Sequence, residues 1–294
     1  MTAHVDLLKY TSWKYSQCGE DGILSRIFEI LPQITHRQNW CVEFGAWDGK
    51  HLSNTAYMIE KNGFNAVLIE PDINRFKELK CNFSDTSKFH CINSFVETNG
   101  DKSLDNILGN LNIPHDFELL SIDIDGNDFH IWKTVTKHFP KVVVIEYNPT
   151  IPDNVEFVQA NDFSIQQGSS IKSLYTLAVQ KGYFPVCITL NNLICVKNEF
   201  SKLFDLSDNS LAFLRKDHSL ETYLFCGYDG SVHLAGLKKM PWHQIPYCLS
   251  KFQHVFKFLR KYPDNYNFIE RFIYRFLRKY WDILSKYNKG DQHG

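Results

Sequence analysis

The sequence predicts an α/β protein built on a mostly parallel β-sheet that closes with an antiparallel hairpin. Short apolar runs alternate with amphipathic segments through residues 40–145. Strands that alternate with helices are typical of βαβ units, whose right-handed crossovers produce a parallel sheet. Two later apolar runs, separated by Asn191 and Asn192, predict the hairpin. It would make one edge strand antiparallel, unlike a fully parallel nicotinamide-binding sheet.

The composition is that of a folded protein with unevenly spread charge. A chain of 294 residues with 44% hydrophobic and 15% aromatic content can bury one large core, or a core and an appendage. The net charge of −1 argues against nucleic-acid binding by the whole surface. Residues 251–294 carry ten Lys and Arg against four acids, so a basic tail of +6 follows an acidic body of −7.

The cysteines and the amino terminus indicate a cytoplasmic protein. The eight cysteines form no C-x-x-C pair and no cluster with zinc-ligand spacing, so we expect reduced, buried thiols. Residues 1–6 lack the basic and apolar regions of a signal peptide, and no uncharged stretch reaches 18 residues. We therefore expect neither secretion nor a membrane span.

The first elements are a loop, a helix and a strand that ends in a glycine turn. Residues 16–22 are polar and precede apolar residues at helical spacing, which predicts a loop feeding an amphipathic helix. The strand and turn follow as Trp40-Cys41-Val42-Glu43-Phe44-Gly45-Ala46-Trp47-Asp48-Gly49. Because glycine has no Cβ atom, such a turn lets backbone approach a ligand closely. The turn is a candidate nucleotide cradle, although many glycine turns bind nothing.

The second strand ends in an acid at an informative position. A helix over residues 54–61 is stopped by Asn62-Gly63, and the strand Ala66–Ile69 then leads to Glu70. In a doubly wound nucleotide-binding fold, an acid at the end of the second strand accepts hydrogen bonds from ribose hydroxyls. We therefore expect Glu70 to bind a ribose.

The third strand ends in polar residues that have two interpretations. After a helix that begins at Ile73, residues 89–92 read as a strand that ends at Asn93 and Ser94. These two side chains could contact an adenine edge, or they could form a plain turn.

Acids cluster after the fourth and fifth strands. Asp123, Asp125 and Asp128 follow the run Leu119–Ile122, and Asp123 and Asp125 share a face if the strand continues through Asp125. A calcium loop is excluded because no glutamate stands at its twelfth position. The fifth strand, residues 141–145, leads to Glu146 and Asn148. These oxygens could hold Mg²⁺, or the acids could only hydrogen-bond a cofactor and loop amides.

Taken together, the motifs resemble one family. The chain resembles the FkbM-type class I S-adenosylmethionine-dependent methyltransferases, which include sugar and natural-product O-methyltransferases. The similarity covers roughly residues 13–200 and rests on five pieces in order. They are residues 16–22, 43–49, Ile69-Glu70-Pro71, Ser121-Ile122-Asp123-Ile124-Asp125-Gly126-Asn127-Asp128, and Val144-Ile145-Glu146-Tyr147.

The resemblance implies a fold, a cofactor and a site. The fold is a Rossmann-like class I methyltransferase, with a mostly parallel seven-stranded sheet, a terminal antiparallel hairpin and a C-terminal accessory region. Glu43, Gly45 and Gly49 would cradle the methionine end of S-adenosylmethionine. The other cofactor contacts implied are Glu70 at the ribose, Asn93 or Ser94 near adenine, and Asp123. In related enzymes acids and an amide after these strands bind magnesium, a role open here to Asp125 (or Asp123), Glu146 and Asn148.

The function that follows is O-methyl transfer to a hydroxyl of a sugar or surface glycan. The acceptor hydroxyl must lose a proton, and the candidates to take it are Asp125, His51 and His130. The alternative is a module that binds the cofactor without catalysis and acts in assembly or regulation.

We expect three regions along the chain. Residues 1–200 form the S-adenosylmethionine-binding domain, residues 201–263 an accessory hairpin or flap with a turn at Tyr228-Asp229-Gly230, and residues 264–294 a basic amphipathic helix. That helix could lie peripherally on the inner membrane face, or it could pack on its own domain or on a second copy in a homo-oligomer.

Overall fold

The chain forms two compact units. The computed structural model describes residues 6–32, 37–206 and 208–287. One unit spans Met1–His218 and the other Ser219–Gly294. The expected domain boundaries near residues 200 and 263 stay predictions, and the chain ends before residue 6 and after residue 287 lie outside the described residues.

The first unit is an alternating α/β structure, as predicted. Its strands are β1 (Trp40–Phe44), β2 (Asn65–Ile69), β3 (Phe89–Ile92), β4 (Leu119–Ile122), β5 (Val142–Glu146), β6 (Tyr183–Ile188) and β7 (Asn192–Lys197). Its helices are α1 (Glu20–Ile30), α2 (Ala56–Asn62), α3 (Ile73–Asn82), α4 (Leu104–Gly109), α5 (Asp128–Thr134), α6 (Ile171–Gln180) and α7 (Leu211–Leu214).

The seven strands form one sheet in the order β3-β2-β1-β4-β5-β7-β6. Strands β1 to β5 pair in parallel, and β7 pairs antiparallel with both β5 and β6. The predicted hairpin is confirmed, but the strand that runs against the others is the inner strand β7 and not an edge strand. The edge strand β6 runs in the same direction as β5, and β7 lies between them. Both sides of β7 are therefore hydrogen-bonded to a neighbouring strand. The fold is the Rossmann-like class I methyltransferase fold.

The hairpin turn uses its asparagines differently from the expectation. Neither Asn191 nor Asn192 has the positive φ expected of them. Instead, the Asn191 amide donates to Gln17 Oε1 at 2.9 Å, and the Asn192 amide donates to Glu20 Oε1 at 2.9 Å. The residues therefore serve the turn through their side chains, which tie it to the segment that begins α1.

Two apolar clusters sandwich the sheet. One contains Trp132 and Leu174 from α5 and α6, and the other contains Ile27 and Met58 from α1 and α2. All residues of β1, β2 and β4 are buried, as expected of parallel strands covered on both faces.

The thiols match the expectation only in part. All eight cysteines are free, and Cys41, Cys187 and Cys195 are buried. Cys81, Cys226 and Cys248 are exposed. The buried thiols lie in strands of the central sheet, whereas two of the exposed ones belong to the second unit.

The second unit contains a two-stranded hairpin and a long helix. Strands β8 (Thr222–Cys226) and β9 (Val232–Gly236) pair antiparallel around Gly230, whose φ is 80°, so the predicted turn is confirmed. The predicted C-terminal helix is α8 (Phe268–Tyr287). No helix in the described ranges combines the length and the apolar composition that crossing a bilayer requires.

Candidate functional site

The carboxyl ends of the parallel strands bring the predicted site residues to one edge of the sheet. The direction of the strand order reverses between β1 and β4, and in open α/β sheets ligands bind outside the strand ends at such a reversal. Four acids end or follow the central strands: Glu43 on β1, Glu70 after β2, Asp123 after β4 and Glu146 on β5. Their contacts differ, and so do the roles they can play.

Glu43 holds the loop that leads into α2. Its buried carboxylate accepts hydrogen bonds from Ser53 Oγ at 2.6 Å, Thr55 Oγ1 at 2.7 Å and the backbone nitrogen of Asn54 at 2.9 Å. Burial raises the pKa of Glu43, and these hydrogen bonds oppose the rise. The described contacts of this side chain are therefore made to protein, and any effect on a cofactor passes through residues 53–55.

The glycines of the turn after β1 permit close packing of the protein on itself. Gly45 has a φ of 77°, and a Cβ atom there would lie 1.9 Å from the Asp123 carbonyl oxygen. Gly49 also has a φ of 77°, and its Cβ would lie 2.3 Å from the ring of Phe83. The absent Cβ atoms thus let the turn approach the end of β4 and helix α3. Whether Gly45 and Gly49 also cradle the methionine end of a cofactor stays a prediction.

Glu70 connects two turns and keeps acceptor capacity. One carboxylate oxygen accepts from the Trp47 amide nitrogen at 2.8 Å, and the other accepts from the Asp72 amide nitrogen at 2.8 Å. Each carboxylate oxygen can accept a second hydrogen bond. The carboxylate of Glu70, a residue that is 2% exposed, therefore keeps lone pairs beyond those that hold the two turns.

Asn93 and Ser94 form the turn after β3. The Asn93 amide donates to the carbonyl oxygens of Glu70 at 2.8 Å and Pro71 at 3.0 Å. Ser94 Oγ donates to the Phe95 carbonyl oxygen at 2.7 Å. These side chains hold the backbone, as in the plain-turn interpretation, while their place at the edge of the sheet is the expected one.

Three carboxylates meet beyond β4 and β5. Oxygen atoms of Asp123, Asp125 and Glu146 lie within 4.8 Å of one another. Strand β4 ends at Ile122 and Asp125 has a φ of 58°, so the condition for a shared strand face is not met. The turn itself brings Asp125 back towards Asp123 and Glu146.

The crowding of these acids favours their protonated forms. Burial, with the nearby charges of Asp128, Asp125 and Glu43, raises the pKa of Asp123 to about 8. Burial also raises the pKa of Glu146 well above its usual range, and the charge on Asp123 adds to this effect. Like charges this close cannot both ionise cheaply, so burial and mutual repulsion favour the singly protonated Asp123–Glu146 pair. A cation placed among these oxygens would replace that proton.

Asp128 stabilises the turn that carries Asp125. Its buried carboxylate accepts from the amide nitrogens of Ile124 and Gly126, both at 2.9 Å. Burial raises the pKa of Asp128 to about 6 because it outweighs these two hydrogen bonds. Asp128 is thus a positioning residue for the acidic cluster.

The remaining predicted residues have other contacts. Asn148 Oδ1 accepts from the amide nitrogen of Thr150 at 2.9 Å, and its amide donates to the Gln167 carbonyl oxygen at 2.8 Å, so its side chain closes the loop after β5. His51 is exposed and packs edge-on against Trp47, with ring centroids 5.0 Å apart. His130 Nε2 lies 2.7 Å from the Gln159 carbonyl oxygen. Within the described chain, neither histidine joins the acidic cluster.

Sequence reasoning missed the backbone strain at this edge. Trp47, Leu52 and Asp125 have φ values of 50°, 54° and 58°. Left-handed backbone is costly for residues other than glycine and concentrates at functional sites. Trp47 also lies under the Arg75 guanidinium, 3.7 Å from the ring centroid. The residue types of Trp47 and Leu52 do not signal this conformation, since it arises from the contacts around each turn.

Two buried asparagine side chains at the same edge each have one atom without a hydrogen-bond partner. Across the described ranges, Asn54 Oδ1 and Asn127 Nδ2 are buried without a hydrogen bond. Such an atom costs about 1–3 kcal/mol, which a ligand can recover. S-adenosylmethionine carries a cationic sulfonium and an ammonium group, so the acids and the Asn54 oxygen match its charge and donors. The residues present therefore fit this cofactor.

The chain is similar to solved methyltransferase structures at low identity. TrmK of M. capricolum, in complex with S-adenosyl-homocysteine, shares 12% identity over 60% of this chain and 67% of its own, with a TM-score of 0.36. The CurJ carbon methyltransferase shares 10% identity over 60% of this chain and 52% of its own, with a TM-score of 0.39. An S-adenosylmethionine-dependent methyltransferase from Clostridium acetobutylicum shares 10% identity over 66% and 92%, with a TM-score of 0.39.

These likenesses are too weak to support a function. No family model matches the chain, and no curated protein matches it. The class of the fold therefore rests on the strand order and on the antiparallel β7.

Proposed function

We propose that this protein is an S-adenosylmethionine-dependent O-methyltransferase that acts on a hydroxyl of a sugar or surface glycan. The observation that carries the proposal is the group of Asp123, Asp125 and Glu146 at the strand-order reversal, beside turns held in left-handed backbone. The resemblance of the motifs to the FkbM-type enzymes supports the sugar or glycan acceptor.

The chain would bind the cofactor through groups that retain hydrogen-bonding capacity. The open lone pairs of Glu70 suit the ribose, and Asn54 Oδ1 suits a donor of the methionine end. The sulfonium would lie next to Asp123, and its positive charge would favour the ionised form of that carboxyl group. Asn93 and Ser94 lie after β3, where the adenine would bind. The bound cofactor supplies an electrophilic methyl carbon.

Asp125 is the residue that we assign to the acceptor's proton. It is exposed, whereas Asp123 and Glu146 are partly buried and burial raises the pKa of both. Its exposure leaves the carboxylate accessible to the hydroxyl of a bound acceptor. His51 and His130 are weaker candidates because one packs on Trp47 and the other hydrogen-bonds the Gln159 carbonyl. Since transfer to oxygen is an in-line displacement, the turns that fix these groups contribute by orienting the acceptor.

A magnesium ion at the same cluster is the second element of the proposal. The three carboxylates offer the oxygen ligands that Mg²⁺ prefers, and their spacing within 4.8 Å allows one ion to contact all of them. Asn148 could join only by giving up its hydrogen bonds to Thr150. The alternative is that the acids bind the cofactor and loop amides without a metal.

Calorimetry and a transfer assay test these proposals. We expect S-adenosylmethionine to bind the full chain, and we expect methyl transfer to at least one member of a glycan panel. Titrations with Mg²⁺ and with a chelator separate the metal-dependent mechanism from the metal-free one. Absence of binding would refute the cofactor assignment, and binding without transfer would favour the non-catalytic module.

Asp125→Asn is the variant that tests the proton acceptor. Asparagine tolerates left-handed backbone, so the turn is kept while the charge is lost. We expect turnover to fall by at least about a hundredfold, with cofactor affinity changed by less than about tenfold. Asp205→Asn is the matched control because Asp205 is also exposed and left-handed, with a φ of 43°, but follows β7 near the opposite edge of the sheet. Equal turnover in the two variants would rule out the role of Asp125.

A further inference from the structure

The second unit presents an apolar stripe on the outer face of α8. Phe268, Phe272, Phe276 and Tyr280 recur at every fourth position, so they are neighbours along one face of the helix. Their exposed fractions are 87%, 70%, 68% and 50%. Large apolar side chains this exposed and this regularly spaced mark an interaction surface.

The helix already packs on its own unit through the other face. Tyr274 contacts the ring of Tyr266, with centroids 5.4 Å apart, and Trp281 contacts the ring of His254 at 4.8 Å. Lys261 forms an ion pair with Glu270 at 2.7 Å. These contacts orient α8 on its unit and leave the apolar stripe without cover from that unit.

A basic stripe runs beside the apolar one. Arg271, Arg275, Arg278 and Lys279 are all exposed and alternate along the helix with the apolar positions. Residues 219–294 as a whole carry a net charge of +6, whereas residues 1–218 carry −7. The positive charge is thus concentrated in the unit that exposes the apolar stripe.

We propose that the outer face of α8 binds an anionic membrane surface, with the helix lying in the interface. An exposed aromatic stripe flanked by Arg and Lys is the pattern of helices that insert one face into the headgroup region. Each basic residue near an anionic leaflet adds to the attraction. A second copy fits less well, because an antiparallel two-fold pair would place the two basic stripes side by side.

Vesicle flotation of the full-length protein tests this proposal. We expect the protein to bind phosphatidylcholine vesicles containing phosphatidylserine at least about tenfold more tightly than phosphatidylcholine vesicles alone. We also expect the binding to weaken as salt is raised, because exposed charges are screened.

Two double variants separate the contributions of charge and apolar area. Arg275→Glu with Arg278→Glu should lower partitioning onto anionic vesicles by at least about thirtyfold. Phe272→Ser with Phe276→Ser should lower it by at least about tenfold, since two aromatic side chains no longer enter the interface. Lys238→Glu with Lys251→Glu is the control, because it makes the same charge change in the same unit outside α8 and should alter binding by less than about threefold.

Three results would overturn the proposal. They are equal binding to neutral and anionic vesicles, no binding to either, and equal loss in the α8 variants and the control. Sedimentation without lipid tests whether a second copy of the chain covers the apolar stripe instead. A second copy covers it if the unsubstituted protein is a dimer that does not bind vesicles and Phe272→Ser with Phe276→Ser makes it a monomer. Circular dichroism of each variant establishes that α8 and the fold are retained.

Discussion

Substitution of Gly45 by alanine should destabilise the first unit through a clash that the structure locates. The new Cβ atom would lie 1.9 Å from the Asp123 carbonyl oxygen, and the backbone there has a φ of 77°. A left-handed alanine costs about 1–2 kcal/mol, and forcing a methyl group into packed atoms adds about 1–3 kcal/mol. The expected loss of unfolding free energy is therefore about 2–5 kcal/mol.

Gly63→Ala is the matched control for this prediction. Gly63 also has a left-handed backbone, with a φ of 66°, but a Cβ atom there would meet nothing within 4 Å. The Gly63→Ala substitution should lower the free energy of unfolding by only about 1–2 kcal/mol, which is the cost of left-handed backbone for an alanine. Urea unfolding followed by tryptophan fluorescence, in which buried Trp132 reports on the first unit, measures both losses. If the two alanine variants lose the same free energy, the turn does not depend on the contact between Gly45 and β4.

Two further predictions concern the acids at the sheet edge. The folded protein favours the protonated form of Asp123, because its pKa is raised to about 8. Asp123 therefore contributes its full stabilisation at pH values below its unfolded pKa, and this stabilisation is lost as the pH rises through 8. Asp123→Asn should flatten that part of a stability-against-pH profile, and an unchanged slope would contradict the shift. Glu43→Gln should cost about 1–3 kcal/mol, because an NH₂ group would face the Ser53 or Thr55 hydroxyls or the Asn54 amide. Chemical denaturation checks this, with Glu29→Gln on exposed α1 surface as the control expected to change stability by less than about 0.5 kcal/mol.

The secondary structure was predictable because local patterns encode it. Apolar runs such as Val142–Ile145 are buried on both faces of a covered parallel sheet, so their composition indicates a strand without any knowledge of neighbours. Gly63 ends α2 in left-handed backbone, as a glycine after a helix usually does. The hairpin was predicted for the same reason, but the position of β7 was not. The chain passes from β5 through α6 to β6, which lies two positions away from β5 in the sheet, and β7 fills the position between them.

The candidate site was predictable in its residue types more than in its contacts. Acids after parallel strands must meet at one edge, so the proximity of Asp123 and Glu146 follows from the topology. The use of Asn148 to close a loop and of Asp128 to hold a turn does not follow, because both depend on backbone amides whose positions the sequence leaves open.

The sequence by itself determined the alternating α/β order, the acid at the end of β2 and the amphipathic character of α8. These features are local, since burial and helical periodicity are set by residues a few positions apart. Only the tertiary structure decided what the glycine turn after β1 approaches. Gly45 packs against the carbonyl oxygen of Asp123, which follows β4 far along the chain, and Gly49 packs against the ring of Phe83, which follows α3. Contacts between distant segments depend on how the sheet is assembled, and no spacing within one segment encodes them.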